Sequence, residues 1–413
     1  MMIDVLFVNP GNPKKIYQDL SKRFSAIEPP TWSLLLAESC RSKKFKVDIL
    51  DCNALNYSEK DSLSYIKEKK PKLIVFVVYG QNVNAGTTNM SGAIDLVNYL
   101  KKHINTKIAF IGSHVQALPL ETLKNEKNID FVFTNEGVYA LLNILTQSDL
   151  SENVLKDIKG IAFRDKKDNV HINPAERIVP QEKLEDDLPG YAWDLLPYEK
   201  KPLDLYRSPM WHANYEEEKR SPYAAIQTSI GCQFKCEFCM INLINRNDDS
   251  EIGVASNYSG MRYWRPEFII KEFDKLISLG VKTIRITDEM FLLNQKYYKP
   301  LCQMLSDRNI NDDLQLWAYS RVDTVRRPEI LKLVRNAGIK WLCLGIESGD
   351  KNIRLEISKG KFEDVDVQKV VEQIHSSGIN VMANYIYGLP GDTKETIEKT
   401  FNLSLKMCTL GWN

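Results

Sequence analysis

The chain opens on an apolar run at residues 3–8, and similar runs recur at 46–51, 73–79, 107–111 and 130–133. Each has the length of a β-strand. Between them apolar residues return every three or four positions, for example over 32–42 and 93–103, which predicts amphipathic helices. Near-continuous apolar strands alternating with helices predict a parallel α/β sheet. Such a sheet takes ligands outside the carboxyl ends of its strands. Here those ends are Asn9-Pro10-Gly11, Gly80-Gln81-Asn82, Gly112-Ser113-His114 and Asn135-Glu136-Gly137.

The pattern changes over 151–220, where prolines are frequent and helical periodicity is weak. Residues 158–164 and 170–172 predict a small hairpin there, and the acidic Glu216-Glu217-Glu218 run reads as a solvated face. Strand–helix alternation resumes at 221. Strands are expected at 224–229, 283–287, 315–319, 341–345 and 381–387, with helices at 266–279, 295–308, 328–337, 365–377 and 394–406. Gly280, Gly338 and Gly378 stand where helix C-terminal caps belong. Five βα units in series predict a barrel or part of one. The chain thus divides into an α/β domain at 1–150, an ordered connector at 151–220 and a second α/β domain at 221–413.

Composition narrows the class without changing the fold. The 413 residues are 43% hydrophobic and 26% charged, ordinary for a globular protein of two or three domains. A net charge of +1 supplies no field for nucleic acid or an anionic membrane. The apolar runs fall far short of the roughly 20 residues a membrane span requires. The N-terminus runs straight into a strand with no signal-peptide pattern, so a cytoplasmic location is expected.

Of the eight cysteines, Cys40, Cys52, Cys302, Cys343 and Cys408 are scattered. The other three form Cys232-Gln-Phe-Lys-Cys236-Glu-Phe-Cys239, directly after the first strand of the second half. Soft thiolates bind iron–sulfur clusters or zinc. A closed zinc or electron-transfer centre wants four protein ligands. Three thiolates leave one iron of a cluster open for chemistry. The competing reading is a zinc site, completed by a distant Cys302 or Cys343.

This Cys-x3-Cys-x2-Cys spacing at a strand end resembles the signature of the radical S-adenosylmethionine (SAM) superfamily. Thr287-Asp288-Glu289, Ser320-Arg321, Gly345-Ile-Glu347-Ser348-Gly349 and Gly388-Leu-Pro390-Gly391-Asp392 follow at the next four strand ends, in the family's order. The resemblance implies a [4Fe–4S] cluster on Cys232, Cys236 and Cys239. It places Asp288 and Glu289 near the SAM amine, Ser320 and Arg321 near its carboxylate, and Glu347 and Ser348 at its ribose. Gly388, Gly391 and Phe238 would lie near the adenosine. The family's usual partial barrel has six βα units, so a chain stopping at Leu410-Gly411-Trp412-Asn413 reads as truncated after the fifth.

The first half resembles the cobalamin-binding domain joined to many radical SAM enzymes, a Rossmann-like doubly wound sheet. The likeness rests on Val8-Asn9-Pro10, Asp51, Gly112-Ser113-His114 with Pro119, and Asn135-Glu136-Gly137. It implies cobalamin contacts from Gly112, Ser113, His114, Glu136 and Gly137, with Gly80, Gln81, Asn82 and Thr87 under the corrin. The Asp-x-His-x-x-Gly run that supplies a histidine below cobalt in related domains is missing. Cobalamin is therefore expected without a protein histidine on its metal. Together the two resemblances imply an enzyme that cleaves SAM to a 5′-deoxyadenosyl radical, fed by an external reductant of the flavodoxin or ferredoxin type. The small-molecule substrate would be methylated at an unactivated carbon. Alternatives are a ring-forming or rearrangement reaction like that of anaerobic porphyrin cyclases, and a non-catalytic metal or redox scaffold.

Overall fold

Leu73–Val77 is buried at every position, as a strand covered on both faces must be. It is an interior strand of the seven-stranded sheet. The computed structural model describes residues 2–11, 25–80, 83–208, 221–244, 246–247, 252, 260–325, 327–359, 362 and 364–411. It comprises two units, Met1–Pro222 with Met240–Tyr258, and Tyr223–Cys239 with Ser259–Asn413. The Glu216–218 run lies outside the described residues.

In the first unit, strands β1 (Val5–Asn9), β2 (Val47–Asp51), β3 (Leu73–Val77), β4 (Lys107–Ile111) and β5 (Phe131–Phe133) pair in parallel. The hairpin expected in the connector forms as β6 (Ile161–Arg164) and β7 (Val170–Ile172), and it extends this sheet antiparallel. The order is β2-β1-β3-β4-β5-β6-β7. The winding direction therefore reverses between β1 and β3, where doubly wound sheets open their ligand crevice. Helices Thr31–Ser42 and Met90–Leu100 lie close to their expected positions. Leu6, Val8, Leu50, Ile74, Phe76, Ala93, Val97 and Phe110 form the core on one face, with Phe76 stacked on Phe110 at 4.9 Å. Each such leucine or phenylalanine contributes about 1.5–3 kcal/mol by leaving water.

The second unit has a parallel sheet of β8 (Tyr223–Ile226), β11 (Thr283–Ile286), β12 (Gln315–Arg321), β13 (Ile339–Glu347) and β14 (Asn380–Tyr385). Its strands lie in sequence order, as in a partial barrel. Helices Pro266–Ser278, Gln295–Arg308, Pro328–Asn336, Val367–Ser376 and Lys394–Thr409 fall where the periodicity placed them. Two of these open on proline, whose missing N–H costs nothing in the first turn. Not anticipated in this half are helix Lys351–Ile357 and the antiparallel pairing of β9 (Ser229–Gly231), just before the first cysteine, with β10 (Met261–Tyr263). Among the described residues, no helix is long and apolar enough to cross a membrane.

Candidate functional site

The cysteine loop is anchored from below by one buried carboxylate. Asp288, at the end of β11, accepts hydrogen bonds from the Thr228 N–H at 2.5 Å, the Thr228 hydroxyl at 2.6 Å and the Ser229 hydroxyl at 2.6 Å. Burial nevertheless pushes its carboxyl up to about 6, against the lowering by those bonds. Tyr297 donates to the Thr228 carbonyl at 2.7 Å. The chain then runs through β9 into Cys232, which is buried, while Cys236 and Cys239 are half-buried. Within the loop the Glu237 N–H donates to the Ile357 carbonyl at 2.9 Å. Phe238 packs with Ile353, Ile357, Ile386 and Leu389, next to the Gly388 turn.

Arg321, at the end of β12, stacks over Phe234 of the cysteine loop at 3.9 Å and over Phe362 at 4.5 Å. Asp323 holds its guanidinium through two bonds of 2.7 Å, a bidentate arrangement that fixes the plane. Arg321 also hydrogen-bonds Cys236. Burial pushes Glu289 up to about 7, opposed by the Arg285 guanidinium. Arg285 in turn lies over Trp317 at 4.7 Å and Tyr319 at 5.1 Å.

Glu347 is the strained residue of the site. Its φ is +65°, and the Ser348 N–H donates to the Ile346 carbonyl at 2.8 Å, closing a three-residue γ-turn. The ladder between β13 and β14 slips at the same point. The carboxylate folds over Gly345, where an added Cβ would lie 2.4 Å from Glu347 Oε1. Burial pushes its carboxyl up to about 7, opposed by Arg321. A glutamate in left-handed backbone carries a steric cost that glycine would not.

The remaining residues expected around SAM have partners within the fold. The Ser320 hydroxyl pairs with that of Thr324 at 2.8 Å, and Ser348 with Thr400 at 3.2 Å. Gly388 and Gly391 adopt φ of +82° and +81°, and Asp392 accepts from the Gly388 N–H at 3.0 Å.

In the first unit, Gly112 follows β4 at φ +152°, where a Cβ would lie 2.0 Å from the Val78 carbonyl oxygen. The Ser113 hydroxyl is buried without a hydrogen-bond partner among the described residues. His114 Nδ1 meets the Thr87 hydroxyl at 3.0 Å, and partial burial lowers the imidazole's pKa. Glu136 accepts from the Val179 N–H through its carboxylate, and its carbonyl accepts from Trp32 Nε1 at 3.2 Å. Gly137 has φ +76° and opens helix Val138–Leu145. Gly80 is half-buried at the sheet's carboxyl end, while Gln81 and Asn82 lie outside the described residues.

The description of the B12 binding domain matches residues 19–145, and that of the Radical SAM superfamily matches residues 226–404. The chain has the architecture of a B12 binding domain followed by a Radical SAM domain. It is 26% identical over 387 residues to an uncharacterized methyltransferase of Pyrococcus horikoshii, covering 92% of this chain and 73% of that protein. It is 21% identical to the anaerobic magnesium-protoporphyrin IX monomethyl ester cyclase of Cereibacter sphaeroides, covering 97% of this chain and 59% of the cyclase. Among solved structures it is similar to the radical SAM methyltransferase TsrM of Kitasatospora setae. That match has a TM-score of 0.70 at 18% identity, covering 98% of this chain and 73% of TsrM.

The donor set of the radical SAM unit fits a cluster in its chemistry. Three thiols share one loop, and soft thiolates are the ligands that iron–sulfur clusters take. Among the described residues, no group of three His, Cys, Asp or Glu side chains is arranged to hold a metal ion. Cys343 and Cys302 are fully buried, and Cys343 lies 3.7 Å from the Met382 sulfur. In the B12-binding unit, the orphaned Ser113 hydroxyl at a strand end is a donor suited to a polar ligand.

Sequence reading missed Phe234, Asp323 and Arg285. The Arg-x-Asp spacing of Arg321 and Asp323 was a signal for the clamp. Nothing in the sequence reveals that Phe234 lies beneath it.

Proposed function

We propose that the chain is a cobalamin-dependent radical SAM enzyme that methylates an unactivated carbon of a small-molecule substrate. The observation that carries this reading is the cysteine loop, with Glu289, Arg321 and Glu347 at the ends of three successive strands and a strained turn at Glu347. Cys232, Cys236 and Cys239 would hold a [4Fe–4S] cluster, which, reduced by an external one-electron donor of the flavodoxin or ferredoxin type, would supply the electron for cleavage of SAM to methionine and a 5′-deoxyadenosyl radical.

The chain's own residues bind and orient. Glu347 accepts hydrogen bonds from the SAM ribose, with Ser348 holding the turn behind it. Glu289 faces the SAM amine, while Asp288 sets the strand beneath the loop. Arg321, with Ser320 beside it, keeps a positive charge near the SAM carboxylate. Phe238, Gly388 and Gly391 shape an apolar wall for adenine. Gly80, Gln81, Asn82, Thr87, Gly112, Ser113, His114, Glu136 and Gly137 would hold cobalamin, and the chain would supply no histidine to its metal. The TsrM structure, whose description names bound cobalamin and a [4Fe–4S] cluster, supports both cofactors.

A second reading, radical ring closure, is favoured by the likeness to the cyclase of Cereibacter sphaeroides along 97% of this chain. The test is anaerobic reduction of the reconstituted protein with SAM. The proposal expects 5′-deoxyadenosine and methionine in equal amounts, and a product heavier by one methyl group. A product that loses hydrogen and gains no carbon selects the cyclase reading. No SAM cleavage by protein with a full cluster contradicts both.

A further inference from the structure

The third cysteine is the last residue of its segment in the radical SAM unit. The chain passes there to Met240–Tyr258, which belongs to the B12-binding unit. Helix Ile241–Ile244 packs on helix Ser113–Ala117, which begins at the loop expected to meet the corrin. One buried side chain holds the residues just beyond that short helix. The Asn135 amide donates to the Glu176 carbonyl at 2.6 Å and the Arg246 carbonyl at 3.2 Å, while its oxygen accepts from the Gly137 N–H at 3.0 Å. Its backbone carbonyl accepts from Gln116 Nε2. A flipped amide would turn its oxygen onto two carbonyls, so these contacts fix its orientation. Asn247 Oδ1 adds an acceptor for the Ile178 N–H at 3.0 Å.

A ligand loop loses less entropy on binding when both its ends are already fixed. The N-terminal end of the cysteine loop is fixed by Asp288, inside its own unit. The segment beyond its C-terminal end is fixed by Asn135, in the other. Asn135 also holds Gly137 and, through Gln116, helix Ser113–Ala117, both at strand ends proposed to meet cobalamin. Two ligands that order one shared segment strengthen each other's binding, and by linkage they do so equally.

We propose that Asn135 is a positioning residue that couples the two cofactor sites, so that cluster assembly tightens cobalamin binding and cobalamin tightens the cluster. The inference rests on the reading that both cofactors bind. The test is titration of full-length protein with hydroxocobalamin, with the cluster present and in the cluster-free Cys232→Ala, Cys236→Ala, Cys239→Ala variant. Wild type is expected to bind about fivefold tighter or more with the cluster. Asn135→Ala should bring that ratio near one. So should Asn135→Asp, which keeps the acceptor for Gly137 but loses both donated bonds. The exposed Asn247→Ala, safe for folding, should lower the ratio partway. Asn143→Ala, which loses only an exposed bond to Glu176, should keep it. A merely structural role for Asn135 would lower the melting temperature and leave the ratio unchanged. That result, or a wild-type ratio of one with both cofactors bound, overturns the coupling. Failure of wild type to bind hydroxocobalamin at all overturns the cobalamin assignment instead, and the coupling with it.

Discussion

In the B12-binding unit, the strand-end carboxylates are already engaged by the fold. Asp51 accepts from Asn9 Nδ2 and the Tyr206 hydroxyl at 2.8 Å each, and from two backbone N–H groups that open a helix. Glu136 accepts from the Val179 N–H. In the radical SAM unit, Asp288 is engaged in the same way, but Glu289 and Glu347 are not comparably surrounded. Burial pushes both up to about 7, with Arg285 and Arg321 as the opposing influences. A strand-end carboxylate therefore reports function only after its partners are counted. One surrounded by donors from its own chain is framework. One left partly exposed at a strand end without such donors gains stability when a ligand arrives with them.

The largest effect that would break this comparison is at Asp51. Asp51→Ala leaves Tyr206, Asn9 and a helix start without their acceptor, and should cost about 3–5 kcal/mol. Chemical denaturation measures it; a loss under about 1 kcal/mol would mean that Asp51 is not framework. The same variant should bind SAM normally under conditions where it is folded.

Glu347 should behave in the opposite sense. Glu347→Ala removes a charged acceptor worth about 1.5–3 kcal/mol, a roughly tenfold to hundredfold loss of SAM affinity. Glu347→Gln should lose less. Glu347→Gly should lose SAM binding yet stabilise the fold by about 1 kcal/mol, because glycine relieves the left-handed backbone. Melting curves and SAM titrations on protein of equal cluster content decide it. A destabilised Glu347→Gly with intact SAM affinity would make Glu347 framework after all.

These contrasts show how much was legible in the sequence. The strands were, because runs such as 73–79 and 107–111 are apolar at every step, as burial on both faces requires. β10 was not: Met261-Arg262-Tyr263 is short, mixed in polarity and separated from β9 by a long insertion. The cysteines and the order of the strand-end residues were legible as well. The division of labour between Asp288 and Glu289 was not, since adjacent residues at a strand end point to opposite sides and only the partners reveal which is which. The same holds for Gly112, where the small residue answers the Val78 carbonyl inside the fold.

The smallest predicted effect is a pH dependence within the framework. Burial alone would raise the Asp130 carboxyl, but Lys101 at 2.6 Å, Lys107 at 2.8 Å and the Ile108 N–H hold it below its ordinary 3.8. A lowered folded pKa gives stability that is complete above the unfolded value and lost as pH falls through the folded one. Asp130→Asn should therefore be less stable than wild type at pH 7, with the difference vanishing in acid below the folded pKa. A difference that persists there would assign the effect to packing.

The central claim is that the three-cysteine loop holds the cluster. Iron and sulfide analysis of anaerobically reconstituted wild type, beside the Cys232→Ala, Cys236→Ala, Cys239→Ala variant, tests it most directly. The expected result is one [4Fe–4S] cluster per wild-type chain and none in the variant. Undiminished iron and sulfide in the variant would contradict the claim and transfer the cluster to Cys40, Cys52, Cys302, Cys343 or Cys408.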